Sequence, residues 1–267
     1  MIVSGIQFDI AWEDPARNLE RAGALLEEAA AAGTRLAVLP EMFATGFSMA
    51  PERVVPHARE ILAWAAGRAR ATGMWILSGV AVTEAAGPMN AAVLHDPEGT
   101  ERIRYHKIHP FSLAGEHLHY RGGDVLPSCE VEGIRVTPLV CYDLRFPEPF
   151  RAAAADTDLF AVIANWPERR GEAWRTLLAA RATENQAFVL GVNRIGEAEG
   201  IAHSGDSALR DPWGACVFSL AGTEGLVSGE VRAEDVAAAR ERFGFLADRR
   251  PDVYRKLERN RPGGETA

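Results

Sequence analysis

Short apolar runs alternate with longer amphipathic segments along most of this chain. The runs Ile2–Phe8, Arg35–Leu39 and Met74–Val82 are rich in β-prone residues, and Ala-rich segments of helical periodicity separate them. Asp14 and Pro15 suit a helix start, because Asp accepts hydrogen bonds from free backbone N–H groups and Pro fits the first turn. Strand, helix and strand in this order predict a parallel crossover. The helices predicted here are Asp14–Ala32 and Pro56–Ala71.

The middle of the chain adds antiparallel pairs to this alternation. Turn residues at positions 97–99 and 132–133 predict two hairpins. Ile108–Gly123 has no clear periodicity, and a long loop of that kind is usually functional. The predicted strands are Asn90–His95, Arg102–His106, Cys129–Val131, Arg135–Val140, Leu159–Ala164 and Ala187–Asn193, and the predicted helices are Pro147–Ala155 and Gly171–Asn185.

The last part of the chain has weaker patterns. Gly196–Gly205 is predicted as a loop, and a closing antiparallel meander follows it. Beyond the meander, the charged helix Glu234–Arg242 precedes Phe245–Leu257, which we expect to be irregular. A tail with isolated apolar residues is stable only when it docks, so we expect 233–267 to cover a partner subunit or the seam beside it. The strands predicted for the meander are Ser207–Arg210, Cys216–Leu220 and Gly225–Val231.

Composition and charge limit the classes of protein. The chain has 267 residues, 47% of them hydrophobic, and neither linker nor repeat, so we predict one domain over 1–267. The net charge of −8 and the scattered basic residues argue against a nucleic-acid partner. No apolar run approaches the roughly 20 residues of a membrane span, and no secretory signal is visible. Three cysteines without a CxxC motif favour a reduced, cytoplasmic protein.

Three ionisable residues follow three different predicted strands. They are Glu41, Lys107 and Cys141. In open α/β sheets, sites form where the carboxyl ends of strands meet. A thiol can attack a carbonyl carbon, a carboxylate can carry protons, and an amine can stabilise negative charge. A free cysteine by itself is more often a small buried hydrophobe, so the interpretation depends on all three residues together.

Three motifs resemble those of the nitrilase, or carbon–nitrogen hydrolase, superfamily. They are PEMF at 40–43, YHKIH at 105–109 and CYDLRFP at 141–147. The resemblance continues through NWP at 165–167, ARATENQ at 180–186, GVNR at 191–194 and SGDS at 204–207. It implies an α/β fold, the α-β-β-α sandwich with mixed sheets, and a homodimer. It also implies that neither a metal nor a cofactor is needed.

One longer string narrows the resemblance within the superfamily. PEMFATGFSM at 40–49, with AGEH at 114–117 and Tyr120, is most similar to bacterial omega-amidases. Those enzymes act on the terminal amide of 2-oxo acids such as 2-oxoglutaramate and 2-oxosuccinamate. The resemblance therefore implies a small amide as substrate.

The catalytic roles come from the resemblance, residue by residue. It implies that Cys141 is the nucleophile, Glu41 the general base and Lys107 the third member of a triad. A second glutamate in the loop after the lysine corresponds to Glu116, which would orient Lys107 or the substrate amide. The backbone N–H of Tyr142 would share the oxyanion with Lys107.

Substrate-binding candidates lie in motif strings or in loops expected to face the site. Arg145 is the nearest remaining cation to the nucleophile, and its planar guanidinium suits a carboxylate. An ion pair with Asp143 or Glu148 is the alternative role for Arg145. We expect an anion pocket near 166–170 and 43–47. The candidates are Phe43, Tyr120, Tyr142, Arg145, Trp166, Arg169 and Arg170.

Other functions stay open at this point. Four histidines within 106–119 could suggest zinc, but no cysteine accompanies them at finger spacing. The same triad would also serve an N-carbamoyl amine amidase, a deaminated glutathione amidase or a nitrilase proper. A non-catalytic binding protein on this fold is disfavoured, because such a protein would have no need to keep Glu41, Lys107, Glu116 and Cys141.

Overall fold

Thirteen strands and eight helices lie within residues 1–259, the part of the chain that the computed structural model describes. The strands are β1 Ile2–Gln7, β2 Leu36–Val38, β3 Trp75–Glu84, β4 Gly87–His95, β5 Glu101–His106, β6 Cys129–Val131, β7 Ile134–Val140, β8 Leu159–Ala164, β9 Phe188–Asn193, β10 Ile195–Ala198, β11 Ile201–Arg210, β12 Cys216–Ala221 and β13 Gly225–Glu230. The helices are α1 Pro15–Ala31, α2 Pro51–Val54, α3 Ala58–Thr72, α4 Glu116–His119, α5 Pro147–Ala153, α6 Gly171–Asn185, α7 Ala233–Arg242 and α8 Pro251–Arg259.

The strands form two mixed sheets. The first has the order β13-β1-β2-β3-β4-β5, and the second has the order β10-β11-β9-β8-β7-β6, with β12 on β11. Each sheet has three parallel strands at its centre, β1-β2-β3 in the first and β7-β8-β9 in the second. Antiparallel strands flank both centres. Because β2 and β7 are central parallel strands, the residues that follow them lie at carboxyl edges, where α/β sites form.

The two sheets pack face to face, and helices cover their outer faces. Val3 and Leu94 of the first sheet and Val136 of the second belong to one buried apolar cluster. Helices α1 and α3 pack on the first sheet in a second cluster, while Trp174 and Leu178 of α6 pack on the second sheet. Full burial of each such side chain contributes about 1.5–3 kcal/mol. The α-β-β-α order confirms the predicted fold class.

Two predictions in the last third of the chain are wrong. The stretch predicted as a loop, Gly196–Gly205, lies mostly in the hairpin of β10 and β11, which turns at Glu199 and Gly200 with φ of 50° and 71°. The predicted meander is correct for β11 and β12, which pair antiparallel, but it is wrong for β13, which does not pair with β12. It pairs with β1 in the other sheet, with Val3 opposite Gly229. Local pattern identifies a strand, but distant packing selects its partner.

The C-terminal segment docks on its own chain through α7. Val236 and Ala239 are buried, and Arg240 donates to the carbonyl oxygens of Ala154 and Thr157 at 2.8 and 2.7 Å. The prediction of an irregular segment after α7 is wrong for 251–257, which lie in α8. Pro251 suits the first position of that helix. The last eight residues of the predicted tail, 260–267, lie outside the described residues.

Within 1–259, none of the helices combines the length and the apolar character required to cross a membrane.

Candidate active site

Cys141 lies at a strained strand-to-helix turn. Strand β7 ends at Val140, a 3₁₀ turn occupies Cys141–Arg145, and α5 begins at Pro147. Cys141 has a φ of 47°, in the left-handed region that non-glycine residues adopt at a cost of about 1–3 kcal/mol. A sharp turn of this kind presents a nucleophile above the sheet edge. The thiol opens into a cavity, although the residue is only 8% exposed.

Glu41 follows β2 and is fully buried. Its Oε2 accepts a hydrogen bond from the backbone N–H of Asn165 at 2.8 Å, and its Oε1 accepts one from Nδ2 of Asn90 at 2.7 Å. Strand β3 passes directly against this turn, since a Cβ at Gly79 would lie within 2.5–2.7 Å of backbone atoms of residues 40–42. The close approach requires glycine, and it fixes the height of Glu41 above the sheet.

Lys107 lies between two buried carboxylates. Its Nζ is 3.0 Å from Oε1 of Glu41 and 2.8 Å from Oε2 of Glu116. Burial by itself would lower the pKa of Lys107, but the two carboxylates together raise it above its ordinary value. The ammonium therefore stays charged, and the ring of Phe47, 5.1 Å away, stabilises it further.

Glu116 is the first residue of the short helix α4, inside the long segment predicted as a loop. Besides Lys107, its Oε2 accepts the backbone N–H of Phe111 at 2.6 Å. Its Oε1 accepts Nδ2 of Asn90 at 3.0 Å, so Asn90 bridges both carboxylates. Sequence reasoning missed Asn90. A polar residue within the apolar run 89–94 of strand β4 is the signal that could have found it.

The electrostatics of the thiol call for a general base. Burial raises the pKa of Cys141 well above its usual value, and the carboxylate of Glu41 raises it further, while Lys107 lowers it. Burial and the neighbouring carboxylate thus favour the neutral thiol over the thiolate. A base beside it must take the proton during attack, and Glu41 is the carboxylate with the strongest effect on that thiol.

A cavity of about 270 Å³ lies above Cys141. Tyr142 and Trp166 line it, as predicted, and the aromatic rings of Phe47, Phe111 and Trp12 complete its walls. The hairpin of β10 and β11 supplies residues 198, 199, 201 and 203 on the far side. The residues predicted to line the cavity therefore agree only in part with those that line it.

Three arginines predicted as candidates line this cavity, Arg145, Arg169 and Arg170. The guanidinium of Arg145 lies 4.9 Å from the ring centroid of Trp166, and that of Arg170 lies 5.2 Å from the ring of Phe111. No carboxylate in 1–259 forms an ion pair with any of the three, so the alternative pairing of Arg145 with Asp143 or Glu148 is not observed. These arginines make their side of the cavity positive, while Glu199 of the hairpin is an acidic residue on the other side.

Two predicted substrate-binding residues lie outside the cavity. Phe43 is fully buried against Trp64, with ring centroids 5.6 Å apart. Tyr120 is 2% exposed, and its hydroxyl donates to the carbonyl oxygen of Ser48 at 2.8 Å. Both pack in the apolar core around the turn that carries Glu41.

The histidines of 106–119 do not converge on one point. His106 contacts Glu84, while His109 contacts Asp143. In the portion of the chain covered by the structure, no group of three or more His, Cys, Asp or Glu side chains is arranged to hold a metal ion.

Comparison with known proteins identifies the family. The family model described as Carbon-nitrogen hydrolase matches residues 2–241. The chain belongs to the carbon-nitrogen hydrolase family. A carbon-nitrogen hydrolase superfamily protein from Xanthomonas campestris, solved with an arsenic adduct in its active site, has a TM-score of 0.89 at 36% identity. The match covers 94% of this chain and 97% of that one.

Two relatives of this carbon-nitrogen hydrolase are named as amidases. It is 40% identical to omega-amidase YafV of Yersinia enterocolitica, over 91% of this chain and 94% of the relative. It is 33% identical to the 2-oxoglutaramate amidase of Bacillus subtilis, over 94% of this chain and 98% of the relative. The resemblance predicted from the motifs is confirmed, and the chain is an amidase of this family.

Proposed function

We propose that this amidase hydrolyses the terminal amide of small 2-oxo acid amides, such as 2-oxoglutaramate and 2-oxosuccinamate. The products are the dicarboxylic 2-oxo acid and ammonia. One observation carries the proposal: Arg145, Arg169 and Arg170, without carboxylate partners in the described part of the chain, surround the cavity above Cys141. A 2-oxo acid amide has a carboxylate at the end away from the scissile bond, and such a wall suits it. The names of the relatives support the same substrate class.

In the first half of the reaction, Sγ of Cys141 attacks the amide carbon while Glu41 takes the thiol proton. Negative charge develops on the carbonyl oxygen. Nζ of Lys107 and the backbone N–H of Tyr142 stabilise that oxyanion, and one such donor is worth about 3–4 kcal/mol. Glu41 then protonates the leaving nitrogen, ammonia departs, and a thioester on Cys141 remains.

In the second half, water attacks the thioester carbon. Glu41 accepts a proton from that water, the C–S bond breaks, and Glu41 returns the proton to Sγ, which restores the thiol as the acid leaves. Glu116 holds Lys107 through its 2.8 Å contact and orients the substrate amide. None of these reaction steps requires a metal ion or a cofactor.

The substrate class is tested by the charge of the far end of the substrate. We expect a neutral amide of equal length to have a lower kcat/KM than 2-oxosuccinamate. The difference corresponds to roughly 2–4 kcal/mol of transition-state stabilisation, the scale for leaving a buried charge unpaired. Ammonia release from 2-oxoglutaramate, 2-oxosuccinamate, glutamine, a carbamoyl amine and a simple nitrile measures the full preference. Equal cleavage of the neutral amide would replace this proposal with a broader amidase.

We also propose a homodimer in a reducing, cytoplasmic compartment. Phe243, Tyr254 and Leu257 expose 61%, 45% and 63% of their surfaces, which suits an interface with a second copy. Cys129, Cys141 and Cys216 are all free thiols, as expected in a reducing compartment. Sedimentation at micromolar concentration should give about twice the chain mass of 29.0 kDa. A fully active monomer would contradict the dimer.

A further inference from the structure

Asp143 is a fully buried carboxylate two residues after the nucleophile. Its Oδ1 accepts the backbone N–H of His109 at 3.0 Å and contacts Nδ1 of the same residue at 2.8 Å. Its Oδ2 accepts the hydroxyl of Tyr105 at 2.7 Å and the backbone N–H of Val140 at 3.0 Å. Each oxygen thus has two partners, so the hydrogen-bonding capacity of the carboxylate is filled.

These partners come from the two segments that carry the catalytic groups. Val140 directly precedes Cys141, whereas Tyr105 and His109 lie on either side of Lys107. The hydroxyl of Tyr105 also accepts the backbone N–H of Ile108 at 3.2 Å, which ties the lysine segment to the same point. Asp143 therefore connects the segment that carries the thiol to the segment that carries the ammonium, although it contacts neither group.

The turn needs such a link. Cys141 adopts a left-handed φ of 47°, and a residue in that region stays there only when its surroundings determine the conformation. On the other side of the turn, Arg181 donates to the carbonyl oxygen of Leu144 at 2.9 and 3.1 Å. Arg181 fixes the turn to α6, while Asp143 fixes it to the segment that carries Lys107.

We propose that Asp143 is a positioning residue, which holds the thiol of Cys141 at reacting distance from the Lys107 and Glu41 pair. The inference rests on Cys141 as the nucleophile, but not on the identity of the amide. Because Asp143 acts on the geometry of the reacting atoms, its loss lowers kcat and leaves substrate binding in place.

The principal test is Asp143→Asn, with Asp158→Asn as the matched control. Asp158 is also a buried carboxylate with several hydrogen bonds, all from Arg135, at the opposite end of the parallel strands. For Asp143→Asn we expect kcat to fall about 100-fold, the effect of a misplacement near 1 Å, with KM within about threefold. The rate at which iodoacetamide alkylates Cys141 should fall too. Asp158→Asn should change the melting temperature but keep kcat within about threefold.

Two results would overturn the proposal. One is a folded Asp143→Asn protein with wild-type kcat. The other is an equal loss of kcat in both Asn variants, because this would indicate general destabilisation.

If Asp143→Asn does not fold, substitutions of its partners decide. His109→Ala removes the ring donor, and we expect kcat to fall about tenfold, one lost hydrogen bond in the active geometry. His109→Asn restores an N–H near the same place and should recover most of that loss. Tyr105→Phe should resemble His109→Ala. Equal kcat in His109→Ala and His109→Asn would refute the link.

The nucleophile is checked in the same series with Cys141→Ala. If Cys141→Ala is inactive and Asp143→Asn is fully active, only the positioning role fails. If Cys141→Ala stays active, the proposed reaction itself fails.

Discussion

The catalytic end of the sheets and the wall of the cavity differ in how their charges are satisfied. At the catalytic end, Glu41, Lys107 and Glu116 are buried, paired and hydrogen-bonded in one network. On the wall, Arg145 and Arg170 contact aromatic rings and no carboxylate in 1–259. The charges of the first set are paired with one another, whereas the guanidinium groups of the second set line the cavity. The comparison predicts that substitutions at the strand ends alter kcat and that substitutions in the wall alter substrate preference.

Removing the nucleophile should give the largest effect. Cys141→Ala should abolish turnover while the fold persists, because no other group can form the thioester. Cys141→Ser should be nearly as inactive, since an alcohol is much harder to ionise than a thiol. Steady-state ammonia release measures both. If either variant kept more than about a hundredth of wild-type kcat, a loss under roughly 3 kcal/mol, the assignment would be wrong.

Lys107→Met breaks the network at its centre. We expect kcat to fall about 1000-fold while substrate binding stays measurable, because the ammonium matters most when the oxyanion forms. Two buried carboxylates lose their counter-charge, so a thermal melt must accompany the kinetics. A loss confined to KM would instead make Lys107 a substrate anchor.

Substituting each glutamate in turn distinguishes the general base from the supporting carboxylate. Glu41→Gln should lower kcat about 1000-fold, within the range for a general acid–base group, and Glu116→Gln should be milder, about 30-fold. Both variants keep the size and shape of the side chain. Both also place an amide nitrogen opposite an N–H donor, because each carboxylate oxygen accepts at least one hydrogen bond, so the two substitutions are matched. The reverse order in kcat would mean that the two roles are exchanged.

Arg170→Gln tests the wall of the cavity and should have the narrowest effect, because it should be confined to substrates with a distal carboxylate. We expect kcat/KM for 2-oxosuccinamate to fall about 30-fold, or roughly 2 kcal/mol, while a neutral amide is unaffected. Arg68→Gln is the control, because Arg68 pairs with Glu27 on the far side of the first sheet. An equal loss of kcat/KM for the charged and neutral amides would show that Arg170 has a structural role and does not bind the substrate carboxylate.

The sequence predicts the catalytic end better than the wall, and the reason is physical. Glu41, Lys107 and Cys141 each follow a strand that the sequence pattern predicts, and sites in α/β sheets form where the carboxyl ends of strands meet. The wall of the cavity depends on loop conformation. Loops lack the regular hydrophobic periodicity that makes strands and helices recognisable in a sequence. Phe43 illustrates this, since Met42 has a φ of 42° and the turn directs Phe43 into the core, while Phe47 reaches the cavity.

Long-range pairing was the other limit of prediction. The hairpin of β10 and β11 has exposed and half-buried residues in place of a clear alternation, so its strands resemble a loop in the sequence. Strand β13 was identified, but its partner β1 lies at the opposite end of the chain. Asn90 was missed because its role exists only once Glu41 and Glu116 have met.

The central claim is that Cys141 carries the acyl group of a 2-oxo acid during turnover. Mass spectrometry of protein quenched while it hydrolyses 2-oxosuccinamate tests this most directly. We predict an acyl adduct on the peptide that contains Cys141 and none on Cys129 or Cys216, of which one is half-buried and the other exposed. An adduct on another residue, or full turnover with an unmodified Cys141 at every quench time, would contradict the account.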